Sequence, residues 1–364
     1  MNATTNFVEL DFEDRHVAAM QAGLWAIETE GHTCLPLEKA KVTEIFVGYC
    51  NHYKNDEYRP VEAEAERKFS IPNSSFDMYG KLDTIVVRNN DTTNRLIQLE
   101  HKTGSRDANS DDVFPFKTSA VSSQITTYAM LQSAAGQPLD YSVLDYIRVP
   151  SIRPKVIPVG TDTKQVGTLR EVRGRGTYFG YDLSAATKAL YSEGTKIKEN
   201  TEAYQYRLRK DIADNPERYY SRKGPIVRNN VQIVNQLLTL EQIAREIDRA
   251  KEEEHLGSFY MNTSQCLNYG SECEFMGLCD GSSTADSEDF EHRGGSSGSG
   301  SGNLSFSKVT TFMSCRRKFY HRYIQKLQKR HSGSKSLRIG SLFHIGLENY
   351  YNSLISSQGE KHDH

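Results

Sequence analysis

Residues 80–104, GKLDTIVVRNNDTTNRLIQLEHKTG, constrain the fold of this chain more than any other segment. Two stretches rich in β-branched and aliphatic residues, 81–88 and 95–103, flank the polar sequence NNDTTN. Such residues favour strands, whereas clustered Asn and Asp favour turns. The segment therefore predicts a β-hairpin whose largely apolar strands belong to a sheet that is covered on both faces.

This apolar hairpin also carries charged residues. Asp83 lies early in the first strand, and Glu100 and Lys102 lie two positions apart near the end of the second, on one face of it. Charged residues are mostly solvated, but in a buried sheet they are costly unless they bind something. Two carboxylates can hold Mg²⁺ or Mn²⁺, and a nearby lysine can orient or deprotonate a water molecule. We therefore expect these three residues to form a metal-dependent site.

The order of these residues resembles the D…(D/E)xK signature of the PD-(D/E)XK nuclease superfamily, with Asp83 followed by EHK at 100–102. Gln124 and Tyr128, in SSQITTYAMLQ, match the QxxxY motif of its RecB-like branch, and residues at i and i+4 share a helix face. The resemblance implies an α/β fold with a restriction-endonuclease-like core, in which α-helices flank a central mixed β-sheet. It also implies that Gln124 and Tyr128 point at the catalytic site and position the DNA strand.

The segment 303–364 resembles the beginning of RecB-like and CRISPR-associated exonuclease domains, with a cysteine, a basic and aromatic stretch, and the pattern GxxxH that ends at His344. A lone histidine on an apolar helix is more often a packed core residue. In this family, however, the histidine is a ligand of the catalytic metal. The resemblance therefore implies that His344, Asp83 and Glu100 bind Mg²⁺ or Mn²⁺. Glu348 lies one helical turn later and is expected to support His344.

Four of the six cysteines fall in two segments, QCLNYGSECEFMGLC and FMSCRRKFYHRYI. Zinc sites favour C-x2–4-C pairs, which these segments lack, whereas the wider spacing resembles the [4Fe–4S] site of RecB-like nucleases. We expect an iron–sulfur cluster that holds distant segments together, with zinc or no metal as alternatives. Its candidate ligands are Cys266, Cys273, Cys279 and Cys315. Cys34 and Cys50 are expected to be buried thiols.

Residues 294–302 have the sequence GGSSGSGSG. Such a tract has no side chain to bury, behaves as a flexible coil and is typical of an engineered linker. Since the segment that resembles the start of the domain follows this tract, we expect a circular permutation, in which 303–364 is the natural N-terminal portion. Residues 1–293, with the cysteine trio, then form the main part of the same nuclease domain. A fusion to an unrelated fragment is the alternative.

Two segments are candidates for DNA contacts. Residues 316–330 carry seven Lys and Arg and no acid, which suits a wall along phosphate groups. Residues 204–228 alternate Tyr with Arg and Lys, a pattern that grips single strands by stacking and phosphate contacts. A half-exposed helix with extended arginine side chains explains that pattern equally well. The residues expected to contact DNA are Arg316, Arg317, Lys318, Arg322, Tyr219, Tyr220, Arg222 and Lys223.

Elsewhere, helical spacing of apolar residues predicts helices and alternation predicts strands. The helices are expected over 13–30, 38–53 and 231–256, and the strands over 61–69, 141–158 and 165–179. On the first of these strands Glu62, Glu64 and Glu66 share one face, which we interpret as solvated in preference to metal-binding.

The length of 364 residues allows one large domain or two small ones. A net charge of −2 argues against a uniformly basic nucleic-acid coat but leaves room for local patches. No run of 18 apolar residues and no secretory signal is present, and six cysteines are too few for a secreted disulfide scaffold. We therefore expect a cytoplasmic protein of prokaryotic or phage origin that has no membrane contact.

Together these patterns predict a metal-dependent DNA nuclease that hydrolyses phosphodiester bonds through His344, Asp83, Glu100 and Lys102. The resemblance implies an exonuclease that acts on single-stranded or end-containing DNA, with partner proteins of a recombination, repair or CRISPR-type pathway. The alternative is a non-catalytic DNA-binding or assembly module, stabilised by iron–sulfur or zinc, that keeps the fold without turnover. The polarity of digestion and the oligomeric state are not encoded in these motifs.

Overall fold

A computed structural model describes residues 12–110, 112–253, 256–268, 271–293, 302–330 and 335–359. In chain order its strands are β1 (Tyr58–Ser70), β2 (Asp77–Arg88), β3 (Leu96–Gly104), β4 (Leu139–Arg148), β5 (Thr177–Tyr178), β6 (Tyr181–Asp182), β7 (Tyr220–Ile226), β8 (Leu267–Asn268), β9 (Ser271–Glu272), β10 (Phe290–His292), β11 (Asn303–Ser305) and β12 (Leu327–Lys329).

The helices of the described residues are mostly short, and four of them exceed 15 residues. In chain order they are α1 (Phe12–Glu30), α2 (Pro36–His52), α3 (Phe114–Thr118), α4 (Ser123–Ala134), α5 (Leu169–Arg175), α6 (Ala185–Leu190), α7 (Thr201–Asp214), α8 (Asn230–Glu252), α9 (Met276–Asp280), α10 (Phe306–Ser314), α11 (Arg316–Phe319) and α12 (Lys335–Gly359). None of them is long and apolar enough to cross a lipid bilayer.

A mixed six-stranded sheet lies at the centre, with the order β1-β2-β3-β4-β7 and with β11 added beside β2. The pair β3–β4 and the pair β11–β2 are parallel, whereas the others are antiparallel. The predicted hairpin is confirmed as β2 and β3. Its pairing ends at Thr84 and Leu99, so that β2 and β3 separate where Asp83 and Glu100 lie. The charged residues therefore occupy a fork between two strands.

Two hydrophobic clusters pack helices on this sheet. One joins α12 to α1, α2 and α7, and the other joins α4, α8 and α10 to β1 and β2. The helices α1 and α12 touch at glycines, because a Cβ on Gly23 would lie 2.7 Å from the carbonyl oxygen of Gly346. Such close approach fixes the position of α12 relative to the strands, and thereby the position of His344.

Residues 303–359 share their packing with the rest of the chain. The strand β11 joins the central sheet, β12 pairs with β10, and α12 packs on α1 and β1. Of the predicted linker, residues 294–301 lie outside the described residues. The division of the chain at this tract, and its circular permutation, remain predictions.

Most of the predicted packing elements are confirmed as α1, α2, α8 and β1. The predicted strand over 165–179 is wrong, because residues 169–175 form the helix α5. The Thr168 side chain accepts a hydrogen bond from the Glu171 backbone N–H at its start, and Gly176 ends it with a φ of 71°. The other predicted strand ends early, with β4, at Arg148. Of the two separate cysteines, Cys50 is buried and Cys34 is partly exposed.

Candidate active site

Three predicted site residues, Asp83, Glu100 and Lys102, lie at the fork between β2 and β3. An Asp83 carboxylate oxygen accepts a hydrogen bond of 2.8 Å from the His101 backbone N–H. Glu100 is 1% exposed, and Lys102 Nζ donates to its Oε1 over 2.5 Å. Its other oxygen accepts from Gln98 Nε2 over 2.8 Å. Both oxygens of Glu100 are thus held by neighbours on the same strand.

The helix α4 continues this chain of hydrogen bonds. Lys102 Nζ donates to Gln124 Oε1 over 3.0 Å, and Gln124 Nε2 donates to the Tyr128 hydroxyl over 3.0 Å. Close contact of α4 with β2 needs a glycine at position 80, because a Cβ there would lie 3.1 Å from the Tyr128 ring and 2.4 Å from Leu131. The structure therefore brings Gln124 and Tyr128 to the site, as the i, i+4 spacing predicts.

The helix α12 brings His344 to the same place, with its Nδ1 3.9 Å from Asp83 Oδ1. Gly340 permits this approach, because a Cβ there would lie 3.1 Å from Thr103 Oγ1 on β3. Glu64 joins them from β1, where the pairing of Ala63 with Thr84 places Glu64 opposite Asp83. Ligand atoms of Glu64, Asp83 and His344 all lie within 4.8 Å of one another, and we call these residues the metal group.

The metal group fits a divalent cation. It offers two carboxylate oxygens and one imidazole nitrogen, and octahedral Mg²⁺ separates neighbouring ligands by about 3 Å and opposite ones by about 4 Å. The interpretation of Glu64 as part of a solvated face is corrected, because only 16% of its side chain is exposed. Its neighbour Lys81 lies 2.8 Å from Glu64 and 3.7 Å from Glu348, so Glu348 reaches the rim of the site.

Burial disfavours the charged forms of the titratable groups at this site. It raises the pKa of Asp83, and burial together with the Asp83 charge raises the pKa of Glu100 to about 7. Burial, with the charge of His101, lowers the pKa of His344 to about 4. Burial opposes the charge of Lys102 too, but Glu100 and Asp83 still raise its pKa above the usual value. Lys102 and, at the rim, Lys81 thus face the carboxylates of Asp83, Glu100 and Glu64, which a further cation would stabilise.

A second buried charge cluster adjoins the site, and we call it the Asp145 network. Asp145 accepts hydrogen bonds from the Tyr49 hydroxyl over 2.5 Å and pairs with His101 Nδ1 over 2.9 Å. Arg222 lies 3.3 Å from Asp145 and 2.6 Å from Asp56. Burial alone would raise the pKa of Asp145, but Arg222, His101 and Tyr49 lower it to about 2. Arg222 therefore lies between two carboxylates, Asp145 and Asp56, and compensates the charge of Asp145.

The sequence was compared with models of protein families. The model of the PD-(D/E)XK nuclease superfamily matches residues 11–280 and 303–364. The chain belongs to this superfamily. Its members are generally nucleases and typically use Mg²⁺ or Mn²⁺. No curated protein and no solved structure matches the chain.

The D…(D/E)xK pattern that Asp83, Glu100 and Lys102 resemble omits other residues that contact them. Gln98 is fully buried and links Glu100 to the Ser142 hydroxyl. Its position two residues before Glu100, on the same face of β3, is the signal that could have found it. Asp145 gives no such signal, because only the parallel pairing of β3 with β4 places it beside His101.

Three predicted DNA contacts need correction. Tyr219 and Tyr220 are 0% and 3% exposed and belong to the hydrophobic core around α2 and α7. Arg222 has 12% of its side chain exposed and belongs to the Asp145 network. These three side chains point into the protein and are not placed to contact DNA. Lys223 is exposed.

The basic segment that follows Cys315 is partly neutralised by neighbours. Arg316 pairs with Glu246 and lies 4.8 Å from the Tyr260 ring. Arg322 pairs with Glu274, and Lys318 lies 3.9 Å from the same carboxylate. Arg317 Nε donates to the Phe259 carbonyl oxygen over 2.7 Å. These cations contribute to local packing, and their contact with DNA remains a proposal.

All six cysteines are free thiols, and the four candidate cluster ligands are each partly exposed. The Cys273 backbone N–H donates to the Cys266 carbonyl oxygen over 2.8 Å, and the Asn262 N–H approaches Cys315 Sγ at 3.5 Å. The pKa of Cys279 is raised by burial, against the opposing charge of Arg317, and also by the other three thiols. The structure therefore gathers cysteines from both sides of the Gly/Ser tract.

Proposed function

We propose that the protein is a metal-dependent deoxyribonuclease that hydrolyses phosphodiester bonds at the metal group. The observation that carries this proposal is that Glu64, Asp83 and His344, from β1, β2 and α12, meet within 4.8 Å beside Lys102. Glu100 holds Lys102 in place by accepting its hydrogen bond. The family resemblance implies that Glu100 can also turn toward the cation and bind it.

The residues of the site have separate tasks in this proposal. Glu64 and Asp83 supply negative oxygens, and His344 is neutral at physiological pH because its pKa is lowered to about 4, so that its ring nitrogen is free to bind a cation. Bound Mg²⁺ or Mn²⁺ would polarise the phosphate and lower the pKa of a water molecule. Lys102 stays protonated because its pKa is raised, so it donates hydrogen bonds to the attacking water or to a phosphate oxygen.

Gln124 and Tyr128 hold the Lys102 side chain in position. Gln124 accepts from Lys102 and donates to Tyr128, which fixes the direction of the ammonium group. We assign them the positioning of Lys102 and of the DNA strand. The resemblance to the RecB-like branch supports exonuclease action on single-stranded or end-containing DNA in a recombination, repair or CRISPR-type pathway of a prokaryotic cytoplasm, with partner proteins.

Nuclease assays test this function. Purified protein with Mn²⁺ should degrade linear single-stranded DNA and linear duplexes, and it should leave closed circles intact if it needs an end. EDTA should stop the reaction, and Lys102→Ala should lose nearly all of it. If Lys102→Ala digests DNA as fast as the wild type, the assignment of these roles is wrong. Binding without hydrolysis in any metal would instead identify a non-catalytic DNA-binding or assembly module.

We also propose that the four gathered cysteines bind a [4Fe–4S] cluster. Thiolates are the ligands of such clusters, and the C-x6-C-x5-C spacing with a remote fourth cysteine supports the choice over zinc. Protein purified without oxygen should be brown and absorb near 400 nm, which zinc cannot produce. Colourless protein that contains stoichiometric zinc would contradict the proposal.

The order of segments is a third proposal. The match of one family model on both sides of the Gly/Ser tract, and the pairing of β10 with β12 across it, support a circular permutation. A chain that begins with residues 303–364 and continues with residues 2–293 should fold to the same far-ultraviolet spectrum and melting temperature. A chain of that order that fails to fold would favour a different native arrangement.

A further inference from the structure

Two cavities meet beside α12. The first, of about 440 Å³, contains the side chains of Glu64 and His344 from the metal group. The second, of about 450 Å³, lies between β3 and the start of α12. Thr103 and Ser336 line both cavities, so the second is a direct extension of the first. We call it the side cavity.

The charges of the two cavities differ. Glu64 and Glu348 line the first, together with Lys81. The side cavity is lined by three cations, Lys41, Arg153 and Lys335, and by no carboxylate of the described residues. Three serines and Thr103 add hydroxyl groups along its wall. A negatively charged ligand bound at the metal group and long enough to reach the side cavity is therefore attracted into it.

The three cations are held in different ways. Lys41 is 6% exposed, and its ammonium donates to the Pro150 carbonyl oxygen over 2.5 Å, so that it is a fixed charge at the base of the cavity. The Lys335 side chain is 61% exposed and lies 4.0 Å from Glu38, a distance that leaves most of its donors available. Arg153 is exposed at the other edge. The cavity thus has one buried cation, Lys41, and two exposed ones, Lys335 and Arg153.

The positive charge continues beyond Arg153. Residues 151–200 contain nine Lys and Arg and five Asp and Glu. Two of those five carboxylates are used internally, because Glu171 is fully buried and accepts backbone N–H groups, and Glu199 is 5% exposed and pairs with Arg207. The segment that follows the side cavity is therefore more basic at its surface than its composition indicates.

We propose that the side cavity binds the phosphate groups of the DNA strand next to the one that reacts. The backbone then passes from the metal group between β3 and the start of α12, and continues along residues 151–200. The choice of DNA as the ligand rests on the proposed function. The cavity and its positive charges are observed independently of that function. Phosphate recognition by exposed Lys and Arg does not depend on base sequence, so the same path serves any strand.

A binding assay tests this path without catalysis. A fluorescein-labelled single strand of about 20 nucleotides is titrated with Asp83→Asn protein in EDTA, so that the strand stays intact. Adding Lys335→Gln and Arg153→Gln should weaken binding about tenfold and lower the salt slope of the affinity by about 1 to 2. Ser105→Glu, which places a carboxylate in the same cavity without removing a cation, should also weaken binding.

The matched control removes the same charge from another surface. Arg245→Gln with Arg249→Gln on α8, whose side chains are 59% and 81% exposed, should leave affinity and salt slope within twofold of the parent. If the Lys335 and Arg153 variant binds like that control, the proposed path is wrong. In otherwise wild-type protein with Mn²⁺, the path variant should raise KM with kcat preserved. If the Lys335 and Arg153 substitutions weaken binding but the wild-type protein never cleaves DNA, the nuclease function is wrong and the proposed binding path still holds.

Discussion

The fork between β2 and β3, with Asp83, Glu100 and Lys102, and the Asp145 network are two neighbouring charge clusters, and they differ in how their charges are balanced. In the network Asp145 faces Arg222 and His101, and its pKa is lowered to about 2. At the fork burial raises the pKa of Asp83 and raises that of Glu100 to about 7, and Lys102 is the nearby ammonium. Arg222 thus compensates Asp145 in the network, whereas Lys102 does not suffice to keep the pKa of Glu100 at its usual value.

This difference separates a structural cluster from a candidate catalytic one. A buried ion pair loses much stability when one partner is removed, since the other charge is left without compensation. A site that lacks a cation behaves in the opposite way, because neutralising one carboxylate removes repulsion. Perturbed pKa values mark both clusters, and the central carboxylates shift in opposite directions, since the pKa of Asp145 is lowered and that of Glu100 is raised.

The largest expected effect comes from Asp83→Asn, which removes one oxygen of the metal group. Hydrolysis of DNA in Mn²⁺ should fall about 10³-fold. The free energy of unfolding of the metal-free protein should stay constant or rise, because the repulsion between Asp83 and Glu100 is relieved. Initial cleavage rates and urea titrations measure the two quantities. Asp214→Asn, at a half-exposed position on α7, is the control, and equal rates for the two variants would refute the role of Asp83.

The equivalent substitution in the other cluster, Asp145→Asn, should destabilise the protein by about 3 kcal/mol, because the buried Arg222 then keeps one carboxylate partner, Asp56, in place of two. The urea midpoint measures this loss in the absence of metal. A midpoint equal to that of Asp83→Asn would show that the two clusters do not differ as described.

Metal addition should act on one cluster alone. At a concentration of Mn²⁺ about 100 times the dissociation constant, the free energy of unfolding should rise by about 2.7 kcal/mol. Glu64→Gln and Asp83→Asn should show little of this rise, since each removes a ligand of the metal group. Asp145→Asn should show the full rise, although its stability without metal is lower than that of the wild type. Thermal melts with and without Mn²⁺ measure these changes. The same rise in all three variants would place the cation elsewhere.

The smallest effect is the response of the metal-free protein to pH. The pKa of Glu100 rises from 4.5 to about 7 on folding, so its stabilising effect is complete below the unfolded value and is lost as pH rises through about 7. Lowering the pH from about 8 to about 5 should therefore add on the order of 1 kcal/mol through Glu100. His344, whose pKa is lowered to about 4, acts in the opposite direction over this range, because the unfolded chain takes up its proton first. Asp145, with its pKa lowered to about 2, affects stability only at more acidic pH.

The variant Glu100→Gln isolates this response, because it removes the titrating group and keeps the shape of the side chain. The stability of the wild type and that of the variant should converge at acidic pH and separate at alkaline pH. Curves that stay parallel across this range would show that Glu100 titrates normally.

The sequence predicted the parts of the site that depend on local order. Strand alternation placed Glu100 beside Lys102, and helical spacing placed Gln124 beside Tyr128. The meeting of His344 with Asp83 was predicted from family resemblance, across most of the chain, and the distance of 3.9 Å agrees with it.

The parts that sequence reasoning missed depend on which strands pair. Glu64 lies in a run of alternating Glu and Ala that is typical of a solvated strand, and only the register of β1 on β2 reveals that it opposes Asp83. Arg222 lies among tyrosines and arginines that suggest a DNA contact, and only the pairing of β7 with β4 shows that it faces Asp145. The register of one strand on its neighbour decides both cases.

The strand β11 and the helix α12 supply one edge of the central sheet and one ligand of the metal group, whereas every other ligand comes from residues before the Gly/Ser tract. Two separate polypeptides, divided at that tract, would each hold an incomplete set of ligands. Hydrolysis would then appear only when the two fragments reassociate, so this protein is suited to fragment complementation, with DNA cleavage as the signal of reunion.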